Sequence, residues 1–549
     1  MREIDRLTTE QFGTPSLVLM ENAAAATARV IVATLSGELA DKSVLVLCGR
    51  GNNGGDGAAT ARLLAHTGSS VQAILFGKVS ETRGDARTNF EALTSLAGDH
   101  SSGTTTGTVR FVECETDDDA RKIISTQLAD PPDVIVDALF GTGLTRPLAG
   151  IHEELVKHVN RLRNNQSASN LVVSIDIPSG LNSDTAQLIG RAIRADITVT
   201  LTAPKLANVL PPASNYNGKL IVADIGSPLE LIEQAKSTLF LPEEADARRW
   251  LIQTRYTPDS YKNTHGHAVI VAGSRGFTGA AALCADAAMR AGAGLVTVAT
   301  PASAQPLVAA QVMPEVMTTA LAETDRGVVS DEAINYFSQF VNRADVIAIG
   351  PGLSAEDERT RKFVRTVVEE RSTPVVIDAD GLNCLSAWPT EIRGSQEFPI
   401  VLTPHPGEML RLMGTSDTSA LDDRVTAARE FAGKHQLLLL LKGTRSLVAA
   451  PDGRVFVNPT GNAGLGTAGA GDTLTGIITG FLAQAYAYRP AHGSERVSAL
   501  ETVIAALYIS GLAGDLAARE HGMRSMVASD IRQQLSTAIC SLDPRGERP

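Results

Sequence analysis

SVLVLCGRGNNGGDG, residues 43–57, contains a six-residue apolar run that passes without a spacer into a glycine-rich turn. An apolar run of that length with no polar face suits a strand buried on both sides, as in a parallel sheet. The turn carries GxGxxG at Gly49, Gly51 and Gly54, a spacing that bares backbone N–H groups at a helix start and lets them approach an anion. Taken alone this is a weak dinucleotide signal. A conventional NAD-binding unit also ends its next strand in an acidic residue that takes the ribose hydroxyls, whereas VQAILFGK ends in Phe76, Gly77 and Lys78.

Working outward, apolar runs bounded by glycine alternate with helical patterns: VQAILF, VIVDALF, LVVSIDI, ITVTLT, and then LIVADIGSP, which closes at Pro228. This rhythm predicts a doubly wound, Rossmann-like parallel sheet over residues 1–228. Residues 229–262, which include the charged PEEADARRW, read as a connector and lead-in. A second series follows: HAVIVAGS, LVTVAT, VIAIGPG, PVVIDADG, PIVLTPHPG and LLLLLKGT, then the hairpin-like SLVAAPDGRVFVN with Pro451-Asp452-Gly453 as its turn. A second α/β domain is expected over 240–549, ending in a frayed SLDPRGERP.

Composition narrows the function classes. At 549 residues the chain exceeds the size at which one core stops growing, so two domains fit the length. The formal charge of −12 and the lack of a basic run argue against nucleic acid as a partner. An anionic ligand must then be held by local N–H groups and helix termini, which points to small phosphorylated molecules. The five scattered cysteines show no zinc-ligand spacing and read as reduced thiols. MREIDRLTTEQFG lacks a signal-peptide core, and no unbroken apolar run approaches the ~18 residues of a membrane span, so a cytoplasmic enzyme without a membrane partner is expected.

Three strand-end loops of the first domain carry its polar groups: GRGNNGGDG, DALFGTGLTRP and DIPSG. In a parallel sheet all three lie at the carboxyl edge, where ligands of open α/β sheets bind. Asn53, Asp137 and Ser179 supply oxygen donors only, a set suited to a hard cation such as potassium, sodium or magnesium. Helix capping is the plain alternative for any one of these loops. The succession MREIDRLTTEQFGTPSLVLMENAA, GRGNNGGDG, DALFGTGLTRP, SIDIPSG and APKLANVLPPASNYNGK resembles the NAD(P)H-hydrate epimerase family. The resemblance implies that Asn52, Asn53, Gly54, Gly55 and Asp56, together with Gly141, Thr142, Gly143, Leu144, Thr145, Arg146 and Pro147, hold the phosphates and ribose of the substrate. It further implies that Asn53, Asp137 and Ser179 coordinate K+, and that Asp176 faces the nicotinamide ring as the acid/base group.

In the second domain NPTGNAGLGTAGAGDTLTGIITGFLAQ, residues 458–484, runs a glycine-rich turn into an amphipathic helix. Its N–H groups and dipole favour an anion, and Asp472 stands where that anion would lie, as a base beside a transferring phosphoryl group or as a simple cap. No Walker loop occurs: the Gly-Lys pairs at Gly77, Gly218 and Gly433 are followed by Val79, Leu220 and His435. The arrangement resembles the ribokinase-like fold. Within it, GSRGFTGAA, IGPGL, IDADGLN, LTPHPGEM, LLKGTRS and GTAGAGD are similar to the NAD(P)H-hydrate dehydratase family. That resemblance implies nucleotide contacts from Lys442, Gly443, Thr444, Arg445, Ser446 and Gly471, and hydrate contacts from Ala280, Gly352, His405 and Asp472. His405 reads alternatively as a turn histidine, and Lys442 as a solvated strand-end lysine. Ala463 and Leu465 depart from the proline and methionine common in the family, a change of packing more than of chemistry.

The two resemblances imply repair of hydrated nicotinamide cofactors: epimerisation of the R and S forms of NADHX and NADPHX, and dehydration of the S form. The dehydration would use ADP or ATP with Mg2+, releasing phosphate and AMP or ADP. A homo-oligomer is expected. The rival readings are a ribokinase-type small-molecule kinase with an accessory N-terminal domain, and an N-terminal domain that serves only for binding or dimerisation.

Overall fold

The computed structural model describes residues 1–98, 107–126, 131–164, 170–487 and 497–543. The expected frayed tail lies, from Pro544 on, outside the described residues. The chain divides into two compact units, Met1–Lys236 and Ser237–Pro549.

The first unit holds seven strands: β1 Ser43–Cys48, β2 Ser70–Phe76, β3 Thr108–Cys114, β4 Val134–Ala138, β5 Leu171–Ile175, β6 Ile197–Leu201 and β7 Lys219–Ala223. Their order is β3-β2-β1-β4-β5-β6-β7, and every pair is parallel. Side chains alternate across β1. Val44, Val46 and Cys48 enter one core with Ala23 and Ile31 of helix Ser16–Thr34, and Leu45 and Leu47 enter the other with Leu155 and Val159 of helix Ile151–Asn164. Both faces are covered, which is why the run has no polar face. The winding reverses between β1 and β4, so the loops that follow these strands diverge and open a crevice at the carboxyl edge. They first pass in contact: a Cβ on Gly49 would meet Leu139 O at 1.9 Å, and one on Gly54 would meet Gly49 O at 1.7 Å. Only glycine fits at either position.

The second unit holds β8 Leu239–Phe240, β9 His267–Val271, β10 Leu295–Pro301, β11 Met317–Leu321, β12 Val346–Ile349, β13 Val375–Ile377, β14 Ile400–Leu402, β15 Leu438–Leu441, β16 Leu447–Ala449 and β17 Val455–Val457. The order is β11-β10-β9-β12-β13-β14-β15-β16-β17-β8. From β11 to β15 it is parallel, with the winding reversed at β9, and β16 and β17 add as the expected antiparallel hairpin. In the hairpin turn Gly453 N–H donates to Ala450 O at 3.1 Å. The charged stretch after the connector forms helix Glu244–Gln253, whose Trp250 stacks on Phe481 at 4.0 Å and donates to Thr502 Oγ1 at 3.1 Å. Residue 239 already pairs with Val455 of β17, so the second sheet begins before that helix.

Helices Ser16–Thr34 and Ala499–His521 are long and apolar enough to cross a membrane by length and composition, although neither is an unbroken apolar run. Ala23, Ile31, Val503, Ala506 and Ala513 on them are core residues of their respective units.

Candidate functional site

The carboxyl edge of the first sheet gathers the polar loops. Asp137 on β4 is fully buried. Its Oδ1 accepts from the Ser179 hydroxyl at 2.5 Å, and its Oδ2 accepts from the Ser174 hydroxyl and the Ser179 N–H, each at 2.8 Å. Burial pushes this carboxyl above the usual range, and the hydrogen bonds only partly offset it. Ser179 Oγ also accepts from Phe140 N–H at 2.9 Å. Asn53 reaches the same neighbourhood, because a Cβ on Gly141 would lie 3.3 Å from its Cγ. The Asn53 Nδ2 is buried and has no hydrogen-bond partner. Asn53, Asp137 and Ser179 are therefore brought together through the Phe140-Gly141 turn.

Asn52 is exposed at the first position of helix Asn52–Ala65, whereas Gly54, Gly55 and Asp56 are buried within its first turns. Gly54 and Gly55 are tightly packed, the latter against Ala86 and Met20. Of the second loop, Gly141, Thr142 and Leu144 are half-buried, and Gly143, Thr145, Arg146 and Pro147 are exposed.

Asp176 follows β5 with a left-handed φ of 69°, a conformation costly for a residue with a side chain. Its N–H donates to Val199 O at 2.7 Å, and its Oδ1 accepts from the Lys205 ammonium. Lys205 is itself 8% exposed and also donates to Thr200 Oγ1 at 3.0 Å and Leu201 O at 2.8 Å. Two further carboxyls act on this spot. Burial pushes Asp56 well above the carboxylate range, with Asp176 and Asp5 adding to the shift. Burial also raises Asp5 on helix Arg2–Phe12, against the opposing pull of the N-terminal amine and Lys205. Asp5 Oδ1 is buried without a partner. Neither Lys205 nor Asp5 was singled out in the sequence. The only available signal was Lys205 as the one charge in APKLANV; Asp5 lies among the charges of REIDRL and stands out by nothing.

In the second unit Asp472 lies in the first turn of helix Ala470–Ala487, after Gly469 with φ 82°. Burial first, and then the like charge of Asp378, push its carboxyl up to about 7. Lys442, at the end of β15, is not a solvated lysine: its Nζ donates to Asp378 Oδ1 at 2.7 Å and lies 3.9 Å from Glu408 Oε2. Burial lowers the Lys442 ammonium, but Asp378 and Glu408 outweigh it and hold the charge in place. Burial likewise pushes Asp378 up, yet Lys442 and the Thr475 hydroxyl at 2.7 Å bring it below the usual range. Gly471 stands over this pair, since a Cβ there would be 3.3 Å from Lys442 Nζ and 3.7 Å from Asp378 Oδ2. Asp378 lies in IDADGLN, but nothing in that run announced its partner sixty-four residues on.

The remaining positions cluster around the same edge. Gly443, Thr444, Arg445 and Ser446 form the β15–β16 loop, in which Arg424 donates to Thr444 O at 3.0 Å and the Ser446 hydroxyl to Gly443 O at 3.0 Å. Arg445 has φ 56° and donates to Pro459 O. Gly352 and Ala280 are neighbours, because a Cβ on Gly352 would meet Ala280 Cβ at 3.2 Å and Phe277 O at 2.8 Å. His405 caps helix Pro406–Met413: its Nδ1 accepts from Gly407 N–H at 3.0 Å and Glu408 N–H at 3.3 Å.

Comparison with known proteins bears on both units. A family model described as YjeF-related protein N-terminus matches residues 16–207, and one described as NAD(P)H-hydrate dehydratase matches residues 268–537. A bifunctional NAD(P)H-hydrate repair enzyme of Moorella thermoacetica is 38% identical over 549 residues, covering 100% of this chain and 97% of the relative. Its counterpart in Thermofilum pendens is 35% identical, covering 98% of this chain and 95% of the relative. An ADP/ATP-dependent NAD(P)H-hydrate dehydratase from Bacillus subtilis, co-crystallized with ATP/Mg2+, is 29% identical with a TM-score of 0.46, covering 55% of this chain and 99% of that one. With a doubly wound parallel sheet in one unit, a second α/β unit that the NAD(P)H-hydrate dehydratase model matches, and relatives matched over nearly their whole length, the chain belongs to the family of bifunctional NAD(P)H-hydrate repair enzymes.

Proposed function

We propose that residues 1–228 interconvert the R and S hydrates of NADH and NADPH, and that residues 240–549 dehydrate the S form with ADP or ATP. The observation that carries the second half is Asp472, a carboxyl raised to about 7 at the start of a helix behind a glycine-rich turn. A base works best when its pKa lies near the working pH, and the helix start favours the phosphate that it must stand beside. Asp472 takes the proton of the ring hydroxyl as the phosphoryl group arrives. Phosphate then leaves with the C–O electron pair, where hydroxide would leave poorly, and the adjacent ring carbon gives up a proton, which the departing phosphate can take, so that the C–H pair restores the double bond of the dihydronicotinamide. The N–H groups near Gly471 and the ammonium of Lys442 face the phosphates, Lys442 to Ser446 hold the nucleotide, and Ala280, Gly352 and His405 hold the hydrate.

Among the described residues no group of three His, Cys, Asp or Glu side chains is placed to hold a metal. This fits an Mg2+ that arrives on the nucleotide phosphates, whose charge it would neutralise.

In the first unit Asp176 relays a proton as the hemiaminal of the hydrate opens and closes, beside phosphates and ribose held by Asn52 to Asp56 and Gly141 to Pro147. The donor set fits K+ in its chemistry: Asp137 is a buried carboxyl whose bonded donors are hydroxyls and N–H groups, none of them cationic, and Asn53 and Ser179 add an amide and a hydroxyl oxygen. Asn53, Asp137 and Ser179 would hold the ion, which would supply fixed positive charge at the loops. The four buried thiols Cys48, Cys114, Cys284 and Cys384 fit a cytoplasmic setting.

The test is to incubate each hydrate epimer with the protein, with and without ADP, ATP and K+, and to follow recovery of reduced-nicotinamide absorbance. Recovery from both epimers, dependent on a nucleotide, is expected. No recovery under any condition would leave a small-molecule kinase.

A further inference from the structure

We infer that Lys205 is a positioning residue of the epimerisation site: it holds the Asp176 side chain, as a carboxylate, in the one orientation from which it serves the ring. The inference rests on the reading of Asp176 given above.

The geometry excludes a direct role for the ammonium. Lys205 has three N–H donors, and all three are engaged within the protein, by Asp176 Oδ1, Thr200 Oγ1 at 3.0 Å and Leu201 O at 2.8 Å. Its side chain is 6% exposed, so no donor remains for a ligand. What it offers is a fixed charge. Three carboxyls converge here, from Asp5 on the N-terminal helix, Asp56 on helix Asn52–Ala65 and Asp176 after β5, and only Asp176 touches the ammonium. An ammonium bonded to one carboxyl oxygen and anchored twice elsewhere fixes the direction in which the other oxygen points.

The lysine is in turn built in. Its own N–H donates to Asn208 Oδ1 at 2.8 Å, and Asn208 Nδ2 donates to Asn217 Oδ1 at 3.1 Å and to Asp176 O at 3.5 Å. Asn217 Nδ2 donates to Ala207 O, Asn208 O and Ser214 O. The turn after β6 is thus tied both to the backbone of Asp176 and to the lysine that holds its side chain. This accounts for a left-handed Asp176, a strained conformation that persists only where its surroundings impose it. In the reaction, Asp176 Oδ2 is left to take the hydroxyl proton as the ring C–N bond opens: the O–H electrons become the aldehyde C=O, the C–N pair passes to the ring nitrogen, and that nitrogen takes the proton from Asp176. The proton returns as the bond re-forms on the other face, so no net charge or atom is exchanged.

The experiment measures epimerisation by the full-length protein without nucleotide, as the approach of a pure epimer to the R/S mixture, separating kcat from KM. Lys205→Met is expected to lower kcat on the order of 100-fold with KM nearly unchanged, and Lys205→Arg to recover at least about tenfold of that loss. Thr200→Val removes one anchor of the ammonium and leaves Asp176 intact, and is expected to lower kcat about fivefold. A kcat within about threefold of the parent in Lys205→Met, or equal losses in the Met and Arg variants, overturns the inference. If Lys205→Met fails to fold, Thr200→Val decides, and an unchanged kcat there overturns it. Full epimerisation by Asp176→Asn would instead overturn the reading of Asp176 on which this rests.

Discussion

In the first unit the ammonium of Lys205 meets the proposed proton carrier itself, Asp176. In the second the ammonium of Lys442 is bonded to Asp378, and Asp472 is left to burial and to the like charge of Asp378. Both pairs are buried at the carboxyl edge of a parallel sheet, yet they lead to different acids and bases. A carboxyl bonded to an ammonium has one oxygen fixed in place. One that shares its surroundings with another carboxylate titrates near neutrality, and is a stronger base for it.

The comparison breaks most decisively at Asp472. Replacing it with Asn keeps its size and removes the base, so dehydration should fall ~100- to 10,000-fold while epimerisation is untouched. Separate assays of the two reactions on one preparation check this, and dehydration within about tenfold of the parent would reduce Asp472 to a cap. A smaller effect is expected at Asp137. Asp137→Ala removes the acceptor that gathers Ser174 and Ser179, and should weaken the monovalent-cation dependence of epimerisation about 10- to 100-fold, read as a K+ titration. Full activity of that variant in K+-free buffer would sink the cation site.

The pH profiles sharpen the contrast. Because Asp472 is raised to about 7, its protonated form, which cannot accept a proton, takes over below that pH, so dehydration should fall about fivefold between pH 7 and pH 6 and about tenfold for each further unit. Asp378→Asn removes the like charge and should move that break to lower pH. A break that stays in place would mean that burial alone sets it. The smallest effect concerns the junction. Cutting between Lys236 and Ser237 should leave two folded fragments, each with one activity, whereas starting the second at residue 240 removes Leu239 from β17 and should cost about 1 kcal/mol by chemical denaturation.

The strands buried on both faces were readable as apolar runs, and so were the glycine loops at their ends, because covering both faces of a parallel sheet writes itself into consecutive residues. β3 and β11 passed unread. Both are edge strands, and TVRFVEC and MTTAL have few fully buried positions, so their patterns are diluted. The placement of Asn53, Asp137 and Ser179 at one sheet edge, and of Asp472 at a helix start, was legible because those motifs are local. It was not legible where function depends on a partner from another strand: Lys205 lies twenty-nine residues from Asp176, and Lys442 sixty-four from Asp378. Chain order carries no record of which side chains a crossover brings into contact.

The imidazole that closes the first turn of helix Pro406–Met413 has a consequence for ligands. Two backbone N–H groups point at Nδ1, and an N–H only donates, so Nδ1 must hold a lone pair and the single ring proton resides on Nε2. Half of the His405 side chain is exposed, and burial with the nearby Lys442 and Arg411 charges holds the ring neutral to lower pH than usual. A ligand that reached this ring would meet one tautomer, whose Nε2–H lies 3.6 Å from Glu408 Oε1. Forcing a second proton onto the ring would set N–H against N–H and undo the helix start, so His405 gains charge only by giving up its place.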